Sequence, residues 1–489
     1  MAYSFCPLTE NGWPPIRVAA TLAKPVNIRG SQPPAGLRHT NSSRRTNCVT
    51  SNSSSLFWAT TQKPPAVKVL VVGSGLMGVS ATHFLLRRGH DVTVVDQGSE
   101  PGCATSFANG ALLTPSMADP WNTPGICSDV LKSLLRGKPI VNVRLRALPS
   151  MGGWIVRFLR AASASVFTRN ALANLRLALH SLEVLRSLTE DTAISYGHRA
   201  CGSLRVFRDS SSFHHACDTA ARLAAHGLGF RRLDLTQAVE VEPALEAVAK
   251  DILGGIHYTT DELGDARLFC IELARRLQAR GAEFRFRTKV RSFELRSGRI
   301  AAALTDRGAL YADAYVAAAG SDCASLLNRI GVRVPIRPLK GYSVTFEGLS
   351  AACSLRIPVV DDTLHAAVVP LGSTLRVAGI AEFAGFDRSI DPRRIATLVA
   401  ILKGFMPNIG PELDMRNAQA WCGLRPLSAD GVPIIGPTRI DNLFVNAGHG
   451  HLGWTLAAGS GELLADILSN EQPKIDPAPY ALRRFAGPV

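Results

Sequence analysis

The ten cysteines of this 489-residue chain include no C-x-x-C pair. That absence removes the usual signs of a structural zinc site and of a disulfide framework, and leaves reduced, mostly structural thiols of a reducing compartment as the expectation. Long uninterrupted apolar runs are missing too. Residues 66 to 86 come nearest, but they contain Lys68 and three glycines, Gly73, Gly75 and Gly78. A spanning helix needs about 20 apolar residues without such breaks, so strand, turn and helix are expected here and no transmembrane segment. Acidic residues are scarce in two places. Residues 1 to 65 carry seven basic residues against Glu10 alone, and residues 130 to 182 carry nine against none. The rest of the chain is balanced, so the net charge of +15 does not describe a global polyanion-binding surface, and no nucleic-acid partner is expected.

The first 65 residues also lack the continuous apolar core of a secretory signal. Rich in Ser, Asn, Thr and Pro, they are expected to be disordered. Their composition fits an organellar transit peptide and fits equally an extension from a start codon placed too far upstream. Beyond them, 46% hydrophobic residues can bury a sizeable core in two or three domains.

What is present after residue 66 is an alternation of strand-like and helix-like stretches, which argues for an α/β or, overall, α+β architecture. VKVLVV (67 to 72) reads as a buried parallel strand, GSGLMG follows, residues 76 to 89 read as a helix, and DVTVVD (91 to 96) as a second strand. This is a Rossmann-like βαβ unit with G-x-G-x-x-G. Gly73 permits the tight turn, Gly75 a close approach to a pyrophosphate, and Gly78 close packing of helix on strand, with Leu76 and Met77 opening the helix. Asp96 ends the second strand, where a carboxylate can accept from a ribose hydroxyl. The unit alone does not separate FAD from NAD.

Later blocks separate them. ATSFANG (104 to 110), TPSMADPW (114 to 121), DELGDARLF (261 to 269), PLKGYSVTF (338 to 346), GLRPLSADGVPIIGPT (423 to 438) and NAGHGHLGWTLAAGSG (446 to 461) resemble, in order, blocks of the D-amino acid dehydrogenase family, within the wider D-amino acid oxidase and glycine oxidase group. The resemblance covers nearly everything after residue 66. It implies non-covalent FAD, held also by Thr105, Ser106, Asn109, Gly110, Val290, Gly320 and Gly423. In the last block a glycine-rich turn leads into a helix, whose start suits the negative charge of a reduced flavin; His449, Gly450, Leu452 and Gly453 are assigned there, chiefly through backbone donors. His449 or His451 can alternatively serve as a covalent anchor. Arg425 in GLRP is expected to grip a substrate carboxylate bidentately. Tyr342 is expected to add a hydroxyl or close over the substrate, and Lys340 to stand near the flavin or a bound water. Two residues depart from the family pattern: His83 and His451 stand where an aromatic and a small polar residue are expected.

The implied reaction is oxidation of a D-amino acid to an imino acid by hydride transfer from Cα to the flavin, then hydrolysis to a 2-oxo acid and ammonia, with electrons passed to a quinone or other non-oxygen acceptor. A glycine, sarcosine or D-hydroxyproline oxidase and a non-catalytic flavin-binding subunit stay open as alternatives. The basic stretch 130 to 182, with Trp154, Phe158, Leu159, Val166 and Phe167, can rest on anionic lipid or be a solvated helical face. A cytoplasmic or peripheral membrane location is expected, organellar if residues 1 to 65 are a transit peptide; the oligomeric state is left open. An FAD domain is expected from 66 to 120, 260 to 336 and 421 to 489, and a mostly antiparallel substrate domain from 121 to 259 and 337 to 420.

Overall fold

Residues 69 to 72 are buried one after another, an apolar run that suits a parallel strand covered on both faces. In the computed structural model, which describes residues 66–126, 142–144, 151–350 and 355–486, this run is strand β1 (Lys68–Val72). Helix α1 (Leu76–Arg87) follows, and β2 (Asp91–Val95) returns parallel to β1. Residues 66 to 86 are therefore strand, turn and helix, and among the described residues no helix is long and apolar enough to cross a membrane. The expected disorder of residues 1 to 65, and residues 130–141 and 145–150 of the basic stretch, lie outside the described residues.

The chain continues through α2 (Gly152–Arg160), α3 (Ala164–Thr192), β3 (Ser203–Phe207), α4 (Ser210–Ala224), β4 (Phe230–Asp234) and β5 (Gly254–Tyr258). Then come α5 (Ala266–Ala279), β6 (Glu283–Arg285), β7 (Ala314–Ala317), β8 (Ile336–Phe346), β9 (Val359–Asp361), β10 (Ala366–Leu371) and β11 (Thr374–Phe383). Helix α6 (Pro392–Phe405), β12 (Ala418–Ser428), β13 (Ile434–Pro437), β14 (Leu443–Ala447) and α7 (Gly453–Leu468) complete it.

Two principal sheets result. The smaller runs β13-β14-β7-β1-β2-β6, parallel except for the edge strand β13. The larger runs β12-β8-β11-β10-β9-β3-β5-β4, antiparallel except where β9 meets β3, with residues 142–143 added parallel to β11. This mixture is the α/β, overall α+β, class read from the sequence. The anticipated break at residue 421 falls inside β12, because an unbroken register with β8 holds residues 418 to 428 in the larger sheet.

Helix α7 explains why the last block is so apolar: every residue from Trp454 to Asp466 is buried, between α1 and α3. Small residues permit the approach, since a Cβ on Gly461 would stand 2.7 Å from the Ser80 carbonyl carbon and one on Gly459 3.0 Å from Ser181. His83 on α1 is fully buried beside Phe84, with ring centroids 4.7 Å apart. Burial lowers its pKa to about 4, so it packs as a neutral ring where an aromatic was expected.

In the basic stretch, α2 turns its aromatic residues inward. Trp154 is 4% exposed and donates Nε1–H to the Leu427 carbonyl at 3.2 Å. Phe158 stacks on it at 5.0 Å. Leu159 is exposed.

Candidate active site

The β1–α1 turn is compressed on its inner side. Gly73 has φ +109°, and a Cβ there would lie 2.6 Å from the Ala318 oxygen, while one on Gly78 would lie 1.8 Å from the Gly73 oxygen. On its outer side the turn faces a cleft of about 1950 Å³, above the ~300–1000 Å³ usual for one small ligand. Gly73, Gly75, Leu76, Met77 and Asp96 line it, and Gly78 lies beneath. The N-cap residue of α1 is Gly75, which has no side chain to cap the helix, and beyond the Leu76 amide, taken by Ser106 Oγ, that end of the helix dipole is left to a ligand. Asp96 braces the turn: Oδ2 accepts from the Ser74 amide at 2.6 Å and hydroxyl at 2.8 Å, and Oδ1 from the Gly98 amide at 2.7 Å. A carboxylate has about four acceptor sites, so one can still receive a ribose hydroxyl.

Loop 104 to 110 reaches the same cleft, but its side chains are busier than expected. The Thr105 hydroxyl donates to the Leu424 carbonyl at 2.9 Å. Ser106 Oγ accepts from the Leu76 amide at 3.3 Å, and Asn109 Oδ1 from the Ala111 amide at 2.9 Å. Thr105 thus spends its hydroxyl hydrogen on β12, whereas Ser106 and Asn109 serve as acceptors that tie the loop to α1 and to its own backbone. Ser321, which the sequence reading missed, donates to the same Leu424 carbonyl at 3.0 Å; no local pattern marks it. Val290, Gly320 and Gly423 also line the cleft. A Cβ on Gly110 or Gly320 would meet nothing of the chain within 4 Å, so both leave room beside the wall.

The final turn closes another side. Its 3-10 residues Gly450–Leu452 run directly into α7, and His449, Gly450, His451 and Gly453 line the cleft. Leu452 does not: its side chain is in the core and its amide donates to the His449 carbonyl at 3.1 Å. The 3-10 turn thus consumes the donor assigned to it. The His449 ring is held by Ser460 Oγ at Nε2, 2.9 Å away, and burial lowers its pKa to about 3, so it is neutral.

Arg425 is enclosed, and burial lowers its pKa to about 10. No acidic side chain among the described residues pairs with it; Nη1 reaches the Ile380 carbonyl at 3.4 Å. The guanidinium lies over Gly341, where a Cβ would stand 2.4 Å from Nη2. Arg425 pairs with Leu339 and Gly423 with Gly341, so these share one face of the sheet while Lys340 and Tyr342 point to the other. Strand alternation therefore corrects the expectation that the Tyr342 hydroxyl joins Arg425 on the substrate carboxylate, and Lys340, expected near the flavin or a bound water, takes that other face too. Tyr342 borders the cleft, yet its hydroxyl donates to Glu382 at 3.0 Å. Burial, and next the Glu382 carboxylate, push that phenol well up. Lys340, fully buried, bonds Asp387 at 3.4 Å and the Ser389 carbonyl. Arg144 bridges Glu382 and Asp387 at 2.7 and 2.6 Å and closes the network.

A glycine turn at the start of α1, a braced acid and an arginine with no acidic partner among the described residues thus line one large cleft. Residues 68–467 match the DAO family, described as FAD dependent oxidoreductase. The chain belongs to this family. Within it, the chain is 39% identical over 421 residues to a D-amino acid dehydrogenase of Granulibacter bethesdensis, covering 86% of this chain and 100% of that one. It is 40% identical over 420 residues to a D-amino acid dehydrogenase of Methylobacterium radiotolerans, with 86% and 99% covered. Among solved structures, L-proline dehydrogenase from P. horikoshii superposes with TM-score 0.68 at 18% identity, covering 86% of this chain and 98% of that one. Glycine oxidase from Geobacillus kaustophilus gives 0.68 at 22%, covering 86% and 100%; both share the fold. The protein is an FAD-dependent oxidoreductase, as the DAO family match indicates. The residues present fit FAD: the helix end open to the cleft and the clear wall at Gly110 and Gly320 leave space where a dinucleotide needs it.

Proposed function

We propose that the protein oxidatively deaminates D-amino acids to 2-oxo acids and ammonia and passes the electrons to a quinone. The observation that carries this reading is Arg425, an enclosed guanidinium without an acidic partner among the described residues, on the wall of the cleft that the glycine turn also lines. A half-buried cation without an acidic partner is costly, and a substrate carboxylate relieves it through two parallel N–H···O bonds. Relatives named D-amino acid dehydrogenase, at 39% and 40% identity, support the substrate class.

In this reading Gly73, Gly75, Leu76 and Met77 would receive the pyrophosphate of non-covalent FAD and Asp96 a ribose. Loop 104 to 110, Val290, Gly320 and Gly423 would form its walls, and His449, Gly450 and Gly453 would meet the ring system. FAD, when bound, supplies the acceptor for the hydride that leaves the substrate Cα. The chain's own contribution is to fix the carboxylate, and through it Cα, an effect worth about 7–11 kcal/mol of barrier when geometry is right. Neutral His449 keeps a second cation away from the site. Water then hydrolyses the released imino acid.

Anaerobic titration of the holoenzyme with D- and L-amino acids tests the reading. D-enantiomers are expected to bleach the visible flavin band and L-enantiomers not; a band indifferent to every D-amino acid sinks it. In air, quinone-analogue reduction should outrun hydrogen peroxide release, and the reverse would point to an oxidase.

A further inference from the structure

His451 has no part in the scheme above, yet its surroundings are as specific as those of Arg425. The backbone bridge between Leu427 and His449 seats the Gly450–Leu452 turn against β12. His451 thereby lines the cleft along with Arg425, two residues before Leu427 on β12, and the Trp121 ring packs beside the imidazole at 5.9 Å. Nε2 lies 2.9 Å from the Met117 carbonyl. A carbonyl only accepts, so Nε2 carries the hydrogen, and the neutral ring keeps its lone pair at Nδ1. Among the described residues Nδ1 has no partner, and it is not one of the polar atoms sealed from solvent. It therefore opens to the cleft, which His451 lines with Arg425, Trp121 and Gly453.

The cleft wall at this point presents a cation that suits a carboxylate and, next to it, a neutral acceptor that suits an N–H. An α-amino acid carries both groups on one carbon. We propose that His451 is a substrate-binding residue whose Nδ1 accepts a hydrogen bond from the amino group of the amino acid that Arg425 holds by its carboxylate. The Met117 carbonyl sets the tautomer and Trp121 the ring plane, so the acceptor is oriented before substrate arrives. This role rests on the amino acid oxidation proposed above and adds a reason for the site to select amines over plain acids.

The test compares two ligands in FAD-loaded wild type, His451→Phe and His451→Asn: the best D-amino acid of the panel, and the same molecule without its amino group as a competitive inhibitor. Phe keeps a ring against Trp121 and has no acceptor; Asn keeps an acceptor on a shorter stem. In His451→Phe, KM for the amino acid should rise about 10- to 100-fold, the range set by leaving one donor unsatisfied. The inhibition constant of the deaminated acid should stay put, and Asn should recover part of the loss. Equal changes for the two ligands, or none for the amino acid, overturn the role while leaving the activity intact. Wild-type enzyme that oxidises no D-amino acid overturns the activity and this role together.

Discussion

At the scale of single residues, the site turns on one side chain and on a neighbour that has none. Arg425→Lys keeps the charge and loses the planar fork, so KM for the amino acid should rise about 30-fold or more, the cost of one charge-assisted hydrogen bond, while FAD content is unchanged. Steady-state kinetics with flavin quantitation reads both, and unaltered kinetics would remove Arg425 from the site. Gly341→Ala approaches the same guanidinium from the other direction. Its Cβ would press on Nη2 at 2.4 Å and displace the fork, so kcat/KM should fall about 10-fold or more, given the tight dependence of rate on placement, again with FAD retained. The place of Arg425 on the cleft wall was legible from its motif. Gly341 was not, since a glycine inside a strand announces a close approach without naming what approaches. Tyr342 and Lys340 were misplaced for a related reason: period-2 alternation puts 340 and 342 on one face, but only the register with β12 tells which face Arg425 takes.

At the scale of elements, the βαβ unit was legible nearly whole because every signal in it is local: the buried run of β1, the glycines and the acid after β2 lie within thirty residues. The structure adds a reason for the third glycine. A Cβ on Gly78 would lie 1.8 Å from the Gly73 oxygen, and backbone atoms cannot step aside as a flexible side chain can. Gly78→Ala should therefore lift α1 off the turn and abolish FAD loading. Purified variant with a wild-type ratio of flavin to protein would show that the turn tolerates the shift. The start of α7 was equally legible, but the use of the Leu452 amide by the 3-10 turn was not, because helix-end hydrogen bonding depends on one or two residues of geometry that composition leaves open. Thr105 and Ser106 show the same limit: they were assigned to the cofactor, and the protein partners of their hydroxyls, Leu424 and Leu76, lie far along the chain or across the turn.

At the scale of the whole molecule, the chain passes repeatedly between two sheets, and the contacts that join them pair residues far apart in sequence. Asp261 is a junction of this kind between the larger sheet and a separate two-stranded one. It is fully buried, and it accepts from the amide and hydroxyl of Ser116 at 3.2 and 2.6 Å and from the Ser203 hydroxyl at 2.6 Å. Ser203 belongs to the larger sheet, whereas Ser116 follows the strand pair 112–113 and 262–263. Three donors do not offset burial, which raises the Asp261 pKa to about 7, with Glu262 nearby adding in the same direction. The folded chain therefore keeps this proton up to about pH 7, while the unfolded chain releases it near pH 4. Between those values the folded state binds the extra proton, so stability falls as pH rises, by at most ~1.4 kcal/mol per pH unit for this group. The cost is complete above pH 7 and absent below pH 4. Asp261→Asn keeps an acceptor and cannot ionise. Its Tm, measured against pH beside the wild type, should be relatively higher near pH 8 than near pH 5, and the two curves should converge in slope above pH 7. Parallel curves across the whole range would mean that the carboxyl is already ionised in the fold at pH 5, and that the hydroxyls of Ser116 and Ser203 stabilise its charge more than burial opposes it.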